Sequence, residues 1–223
     1  MIPLYDESAP SLRPPYVTLL LITINVLMFI IILLSGDLEA FFLRYGTIPE
    51  RILRGENLFT LFTSIFLHAG FIHLIGNMWF LWLFGDNLED NMGRMRFLVF
   101  YLIVGIIANI FHVFTVSPGQ AGIPAVGASG AISGLLGGYL VLFPKNRIRA
   151  FMVVFYRPFL FSIPAFLYMA IWFLYQLLYI GVSTSIAYMA HIGGFISGMV
   201  LIFFFRRKII RKDYVFRFTR SSP

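Results

Sequence analysis

The chain has 223 residues, of which 59% are hydrophobic and 12% are charged, and its mean hydropathy is +0.86. A soluble domain carries about 25% charged residues, so the composition excludes an ordinary soluble protein. The absence of cysteine excludes disulfides, thiol nucleophiles and thiolate metal sites.

Apolar runs of spanning length predict six transmembrane helices in an all-α, polytopic membrane protein. In chain order they fall near residues 17–35, 71–85, 97–116, 129–143, 162–180 and 187–205. We therefore expect an N-terminal segment at 1–16, a membrane domain at 17–205 and a basic tail at 206–223. The first apolar run is too long for the core of a signal peptide, and no cleavage pattern follows it, so we expect it to be retained.

The basic residues indicate the orientation in the membrane. If the N-terminus is cytoplasmic, 14 of the 17 basic residues lie in cytoplasmic segments and the other three, Arg44, Arg51 and Arg54, lie in the first loop. This asymmetry follows the positive-inside rule and predicts that both termini are cytoplasmic, in a cell membrane. The net charge of +7 is thereby explained by topology and by contact with anionic lipid, and no nucleic-acid partner is expected.

Two loops on the opposite side have unusual compositions. The loop at 36–70 mixes apolar and charged residues, which predicts short amphipathic segments in the membrane interface. The loop at 117–126 is rich in glycine and proline and leads to Ser129. The fourth helix spans only about 22 Å, less than the hydrocarbon core of about 30 Å. We therefore expect Ser129 to lie below the outer surface, in a water-filled indentation.

Four polar residues are predicted at one level of the membrane, because the second, fourth and sixth helices all start on the extracytoplasmic side. These residues are His73, Asn77, Ser129 and His191. His73 and Asn77 are four positions apart and share one helix face. Polar groups at such depth are costly and are usually functional. The cluster is therefore the candidate site.

Small residues predict that the fourth and sixth helices pack closely. Glycines recur at every fourth position in both helices, at Gly130, Gly134 and Gly138 and at Gly194 and Gly198. Packing these two ridges together brings the Ser129 hydroxyl near the His191 imidazole, as an activated serine nucleophile requires. The free N–H groups at the start of the fourth helix are suited to stabilising an oxyanion, with His73 and Asn77 as further donors.

The acidic residues limit the chemistry. No Asp or Glu occurs between Asp90 and Asp213, so we predict a Ser–His dyad without a carboxylate. The same absence excludes a membrane aspartyl protease, which needs paired aspartates, and the sequence has no H-E-x-x-H zinc motif, so no metal or cofactor is expected. From the residues themselves, a serine hydrolase site stands beside two alternatives, a structural polar cluster and a transport pathway.

At these residues the chain resembles the rhomboid intramembrane serine proteases, over roughly Val17 to Phe205. The resemblance rests on His68-Ala69-Gly70, His73-x-x-x-Asn77, Phe84-Gly85-Asp86-Asn87-Leu88-Glu89-Asp90, Gly127-Ala128-Ser129-Gly130 and Ala190-His191-x-x-Gly194-x-x-x-Gly198. It implies a six-helix rhomboid fold and cleavage of single-pass membrane proteins near the outer membrane face.

The same resemblance implies roles for individual residues. Ser129 would be the nucleophile and His191 the general base, and the backbone N–H of Ser129 would join His73 and Asn77 in the oxyanion hole. Supporting positions would be His68, Gly127 and Gly130.

The sequence departs from some relatives at two places. Phe59 and Thr60 stand where those relatives have Trp-Arg, and Ser133 stands where an aromatic ring stacks on the catalytic histidine. Ser133 therefore leaves open what orients His191. The rival function within this fold is a catalytically silent protein that binds membrane clients, and a transporter is the rival outside it.

Overall fold

The computed structural model describes residues 1–7, 13–181 and 186–207. Most of this chain is helical. The elements are β1 (Ile2–Asp6), α1 (Tyr16–Ser35), α2 (Leu38–Tyr45), α3 (Pro49–Leu53), α4 (Thr60–Thr63), α5 (Phe71–Met92), α6 (Arg94–Thr115), α7 (Ser129–Leu142), β2 (Arg147–Val154), β3 (Arg157–Pro164), α8 (Ala165–Leu178) and α9 (Tyr188–Phe205). Short 3₁₀ turns follow α4 at Ser64–Phe66 and α6 at Pro118–Gln120. The predicted basic tail lies outside the described residues from position 208 onward.

The six predicted spans correspond to α1, α5, α6, α7, α8 and α9, which are 14 to 22 residues long. Within the described ranges, α1, α6 and α9 are long and apolar enough to cross a membrane. α5 forms a fourth candidate together with the short helical segment Thr60–Phe66, from which it is bent by 93°. α7 and α8 are apolar but only 14 residues long. The chain is therefore a multi-pass membrane protein, while the number of six spans stays a prediction.

α5 is longer than the sequence predicted, because it continues from residue 85 to Met92. Its last turns contain Glu89, which is only 3% exposed. The Glu89 carboxylate accepts hydrogen bonds from the backbone N–H groups of Val17 (3.0 Å) and Thr18 (2.8 Å). It thereby satisfies donors at the start of α1 that have no partner within that helix.

The expectation of an all-α protein is wrong in one respect, because the described residues include a three-stranded antiparallel sheet of order β1-β2-β3. β2 and β3 form a hairpin between α7 and α8, and the N-terminal strand β1 pairs with β2. The sequence patterns predicted no strand between residues 143 and 162, and they placed the start of the fifth helix near 162. Because β3 runs to Pro164, α8 starts at Ala165.

α7 lies at the centre of the bundle and is buried from Gly130 to Tyr139. Its glycines allow backbone contact with α9: a Cβ added at Gly194 would collide with the carbonyl oxygen of Gly130, and one at Gly198 with that of Gly134. The predicted glycine ridges thus pack against each other. This contact fixes the separation of the two helices that carry Ser129 and His191.

The loops at 36–70 and 117–126 are joined to each other. Thr47, between α2 and α3, exchanges two backbone hydrogen bonds with Ala125, at 3.0 and 2.8 Å. The Gly127 N–H donates to the Ser64 carbonyl at 2.9 Å. The first loop therefore fixes the backbone of residues 125–127, which lead into α7 just before Ser129.

Candidate active site

Ser129 is the first residue of α7. The first four N–H groups of a helix have no partner within it, so the Ser129 N–H is available to a ligand. Gly127, two residues earlier, has a φ of +130°, a conformation that side-chain-bearing residues rarely adopt. Glycine at this position therefore permits the turn that presents the Ser129 hydroxyl at the helix end.

His191 lies in the first turn of α9, facing Ser129. The distance from His191 Nε2 to Ser129 Oγ is 2.8 Å. This hydrogen bond connects residues 62 positions apart, and the glycine contact between α7 and α9 makes it sterically possible. The structure thus brings the two predicted reacting groups together.

The other ring nitrogen of His191 has a partner that the sequence patterns did not predict. His191 Nδ1 lies 2.8 Å from Oε1 of Gln176, on α8. The imidazole also contacts the rings of Trp172 and Tyr188, at centroid distances of 6.2 and 6.4 Å. The available signal was an amide in an otherwise apolar and aromatic helix, since polar groups in such helices are usually functional.

Ser133 lies one turn below Ser129 and is buried. Its hydroxyl donates a 2.6 Å hydrogen bond to the Ser129 carbonyl. It therefore satisfies a backbone group of α7. The rings that contact His191 come from α8 and α9, so the missing aromatic at this position is replaced from other helices.

His73 and Asn77 lie on one face of α5 and line the same cavity as Ser129 and His191, with a volume of about 870 Å³. The His73 ring is adjacent to Gly127, where an added Cβ would come within 2.8 Å of His73 Nε2. Asn77 is 8% exposed, and its Nδ2 has no hydrogen-bond partner among the described residues. Both side chains are thus positioned to donate into the cavity.

The three supporting positions have different surroundings. His68 is fully buried, and its ring contacts that of His73 at a centroid distance of 5.0 Å. Gly127 lies beside His73, as described above. Gly130 lies at a helix crossing, where an added Cβ would come within 2.8 Å of the Ala108 Cβ on α6. Across the described residues, no group of three or more His, Cys, Asp or Glu side chains could hold a metal ion.

A family model described as the Rhomboid domain matches residues 55–208, more than half of the chain. The chain belongs to the rhomboid family. The matched region begins before α4 and covers all the predicted site residues.

Curated relatives of this rhomboid include RHOMBOID-like protein 1 from Arabidopsis thaliana, which is 32% identical over 77% of this chain and 40% of its own length. Rhomboid protease GluP from Bacillus subtilis is 35% identical over 60% of this chain and 26% of its own length. Putative rhomboid protease YdcA, also from Bacillus subtilis, is 47% identical over 40% of this chain and 44% of its own length. The rhomboid chain thus spans less than half the length of these relatives.

The arrangement in this rhomboid suits acyl transfer. A hydroxyl 2.8 Å from an imidazole nitrogen is within proton-transfer distance. The Ser129 N–H at the start of α7 and the side chains of His73 and Asn77 provide hydrogen-bond donors in the same cavity. Donors fixed around one point stabilise the negative charge of a tetrahedral intermediate.

Proposed function

We propose that this rhomboid is an intramembrane serine endopeptidase that cleaves transmembrane or juxtamembrane segments of single-pass membrane proteins. The observation that carries the proposal is the 2.8 Å distance between Ser129 Oγ and His191 Nε2, in a cavity that His73 and Asn77 also line. The names of two Bacillus subtilis relatives, which describe rhomboid proteases, support it.

The mechanism follows from these positions. His191 Nε2 takes the proton of Ser129 as Oγ attacks the carbonyl carbon of the scissile peptide bond. The tetrahedral oxyanion accepts hydrogen bonds from the Ser129 N–H, His73 and Asn77. His191 returns the proton to the leaving amine, and an acyl-enzyme remains. A water molecule, deprotonated by His191, attacks this ester, and His191 returns the proton to Ser129 Oγ as the bond to the acyl group breaks and the new carboxyl terminus leaves.

The proposal includes a placement in the membrane. α1, α5, α6, α7, α8 and α9 are the six spans, both termini are cytoplasmic, and the cavity opens to the extracytoplasmic side of a cell membrane. The basic residues support this orientation through the positive-inside rule. α7 is about 21 Å long, so a Ser129 at its outer end lies below the membrane surface, beside a substrate helix.

A catalytically silent rhomboid that binds membrane clients is the rival function. The hydrogen-bonded pair of Ser129 and His191 favours the protease, because client binding needs neither a nucleophile nor a base. The two functions differ in a single observable, which is covalent chemistry at Ser129.

The experiment is cleavage of a single-pass membrane substrate by purified protein in detergent, together with labelling of Ser129 by a fluorophosphonate. We expect Ser129→Ala and His191→Ala to lower cleavage by about 10³-fold or more, since loss of either member of a nucleophile–base pair removes the activation. Ser197→Ala is the matched control, because Ser197 lies on α9 and donates to the Gly194 carbonyl. It should cleave like the wild type.

Undiminished cleavage by Ser129→Ala would overturn the assignment of the nucleophile. Absence of both cleavage and labelling in folded wild-type protein would favour the client-binding function. Thermal unfolding of each variant in detergent separates a lost reaction from a lost fold.

A further inference from the structure

Gln176 is buried in α8, with 4% of its surface exposed, and faces α9. Trp172 and Phe173, about one turn earlier, stack on Phe195 of α9, with ring centroids 5.8 and 4.8 Å apart. This packing sets the register of the two helices so that Gln176 lies opposite His191. The contact between the amide and the imidazole is therefore determined by the packing of α8 on α9.

The amide of Gln176 has one orientation that satisfies its neighbours. Its side-chain nitrogen Nε2 lies 3.3 Å from the Trp172 carbonyl oxygen. A carbonyl oxygen only accepts, so the amide N–H₂ must point toward Trp172 and Oε1 must point toward His191. Oε1 lies 2.8 Å from His191 Nδ1. The exchanged orientation would place two acceptors against each other at Trp172.

The orientation of the amide determines the tautomer of His191. Because Oε1 only accepts, Nδ1 of His191 must carry the proton. In the neutral imidazole, Nε2 then holds the lone pair, and it is Nε2 that lies 2.8 Å from Ser129 Oγ. This is the tautomer that a general base needs, since the lone pair has to accept the serine proton.

The other groups around His191 cannot make this selection. Trp172 and Tyr188 contact the ring and restrict its plane, but a ring contact does not distinguish the two nitrogens. The titratable groups that face His191 from the neighbouring helices are His73 on α5, His112 on α6 and Tyr175 on α8, beside Tyr188 on α9 itself. Among the described residues, no Asp or Glu side chain lines the cavity that contains His191.

We infer that Gln176 is a positioning residue that holds His191 in the catalytic tautomer, so that the site works as a relay of Gln176, His191 and Ser129 with a neutral amide in place of an acid. This rests on the proposed function, because it assigns a role within the same reaction. It also links the base on α9 to the position of α8, since separation of the two helices would break the Nδ1 bond.

The experiment measures the rate at which a fluorophosphonate labels Ser129 between pH 5 and 10, in the full chain in detergent. Gln176→Met keeps the length of the side chain and removes the acceptor. We expect it to lower the labelling rate by about 10- to 100-fold at every pH. This is smaller than the full effect of a general base, because His191 itself remains in place. Leu174→Ala is the control, since Leu174 is on the exposed face of α8 and should label like the wild type.

Gln176→Glu tests the role of Gln176 through the pH dependence of labelling, which would not change if Gln176 were a purely structural residue. Its carboxylate accepts from Nδ1 and favours the protonated imidazole. We expect labelling to return to within a few-fold of the wild-type rate at alkaline pH, with the half-maximal rate shifted to higher pH. Cleavage assays should show a lower kcat and an unchanged KM for Gln176→Met.

Two results would overturn the inference. One is wild-type labelling by Gln176→Met, and the other is a Gln176→Glu profile that coincides with that of Gln176→Met over the whole pH range. An unlabelled wild-type protein would instead refute the proposed function, so the two failures are distinguishable. Thermal unfolding identifies any variant that is not folded. If Gln176→Met is not folded, Gln176→Asn replaces it, because its side chain is shorter by one methylene and withdraws the amide from His191.

Discussion

Asn77 has a buried side-chain nitrogen with no hydrogen-bond partner among the described residues, in the cavity that contains Ser129. A donor that has no partner in the folded protein can bind an oxyanion without first breaking another hydrogen bond, so its contribution is largest where negative charge develops. We expect Asn77→Ala to lower kcat by about 10²- to 10³-fold, the usual effect of removing one oxyanion donor. KM and the unfolding temperature should change little.

Steady-state cleavage of a single-pass substrate measures this effect. A raised KM with an unchanged kcat would contradict the oxyanion role, because it would mean that Asn77 binds substrate equally in the ground and transition states.

Gly127 has a positive φ and lies against the His73 ring, so a side chain at this position would cause both backbone strain and a steric clash. A residue with a Cβ in a rarely populated backbone region costs about 1–3 kcal/mol, and the Cβ itself would lie 2.8 Å from His73 Nε2. We therefore expect Gly127→Ala to displace the His73 ring and to slow fluorophosphonate labelling of Ser129 by about 10-fold or more.

Gly119→Ala is the matched control for Gly127→Ala. Gly119 lies in the same connection between α6 and α7, and a Cβ there meets no atom within 4 Å. If both variants labelled Ser129 at the wild-type rate, the conformation of Gly127 would be irrelevant to the site.

The packing of α7 on α9 determines whether Ser129 and His191 meet. A Cβ at Gly198 would collide with the Gly134 backbone, so Gly198→Ala should force the two helices apart. Overpacking of this kind costs about 1–3 kcal/mol. We expect a lower unfolding midpoint in a detergent titration and slower labelling of Ser129, because the 2.8 Å hydrogen bond lengthens with the helix separation.

Gly76→Ala provides the comparison for stability. Gly76 is a helical glycine in α5 whose Cβ would meet no atom within 4 Å. Alanine favours a helix over glycine by up to about 1 kcal/mol, so this variant should be as stable as the wild type or more so. Equal destabilisation by both substitutions would mean that the α7–α9 contact is not a steric constraint.

Sequence patterns predicted the elements whose signal is local. The apolar runs gave the six long helices, and the glycines at fourfold spacing gave the contact between α7 and α9. The end of α5 was missed because the apolar run stops near residue 85, whereas the helix continues to Met92 and the Glu89 carboxylate binds the start of α1, 71 residues earlier in the chain. The pairing of β1 with β2 was missed for a related reason, since it joins residues more than 140 positions apart.

The candidate site was likewise predictable where its signal is local and not where it depends on helix packing. Ser129, His191, His73 and Asn77 stand out because polar residues are rare in apolar helices, and topology places them at one level. Gln176 carried the same signal, but its partner depends on how α8 lies against α9. A register between two helices comes from side-chain packing, here of Trp172 and Phe173 on Phe195, and no spacing within one helix reveals it.

The central helix α7 is fixed at both ends by distant parts of the chain. At the Ser129 end, the Gly127 N–H donates to Ser64 in the first loop. At the other end, the hydroxyl of Tyr139 donates to Asp6 of the N-terminal strand at 2.7 Å, and Asn87 of α5 donates to the same carboxylate. The N-terminal strand therefore belongs to the same folded unit as the site, although it precedes the region that the family model matches.

The orientation of the whole molecule in the membrane is testable because the sequence contains no cysteine. A single cysteine at Gly119, in the connection between α6 and α7, should react with a membrane-impermeant maleimide in intact cells. A single cysteine at the exposed Arg157, in the β2–β3 hairpin, should react only after the cells are permeabilised. These outcomes follow from the positive-inside rule, which places the residues around Arg157 in the cytoplasm. The reverse pattern would place the cavity of Ser129 on the cytoplasmic side, and labelling of both cysteines in intact cells would refute an odd number of spans between them.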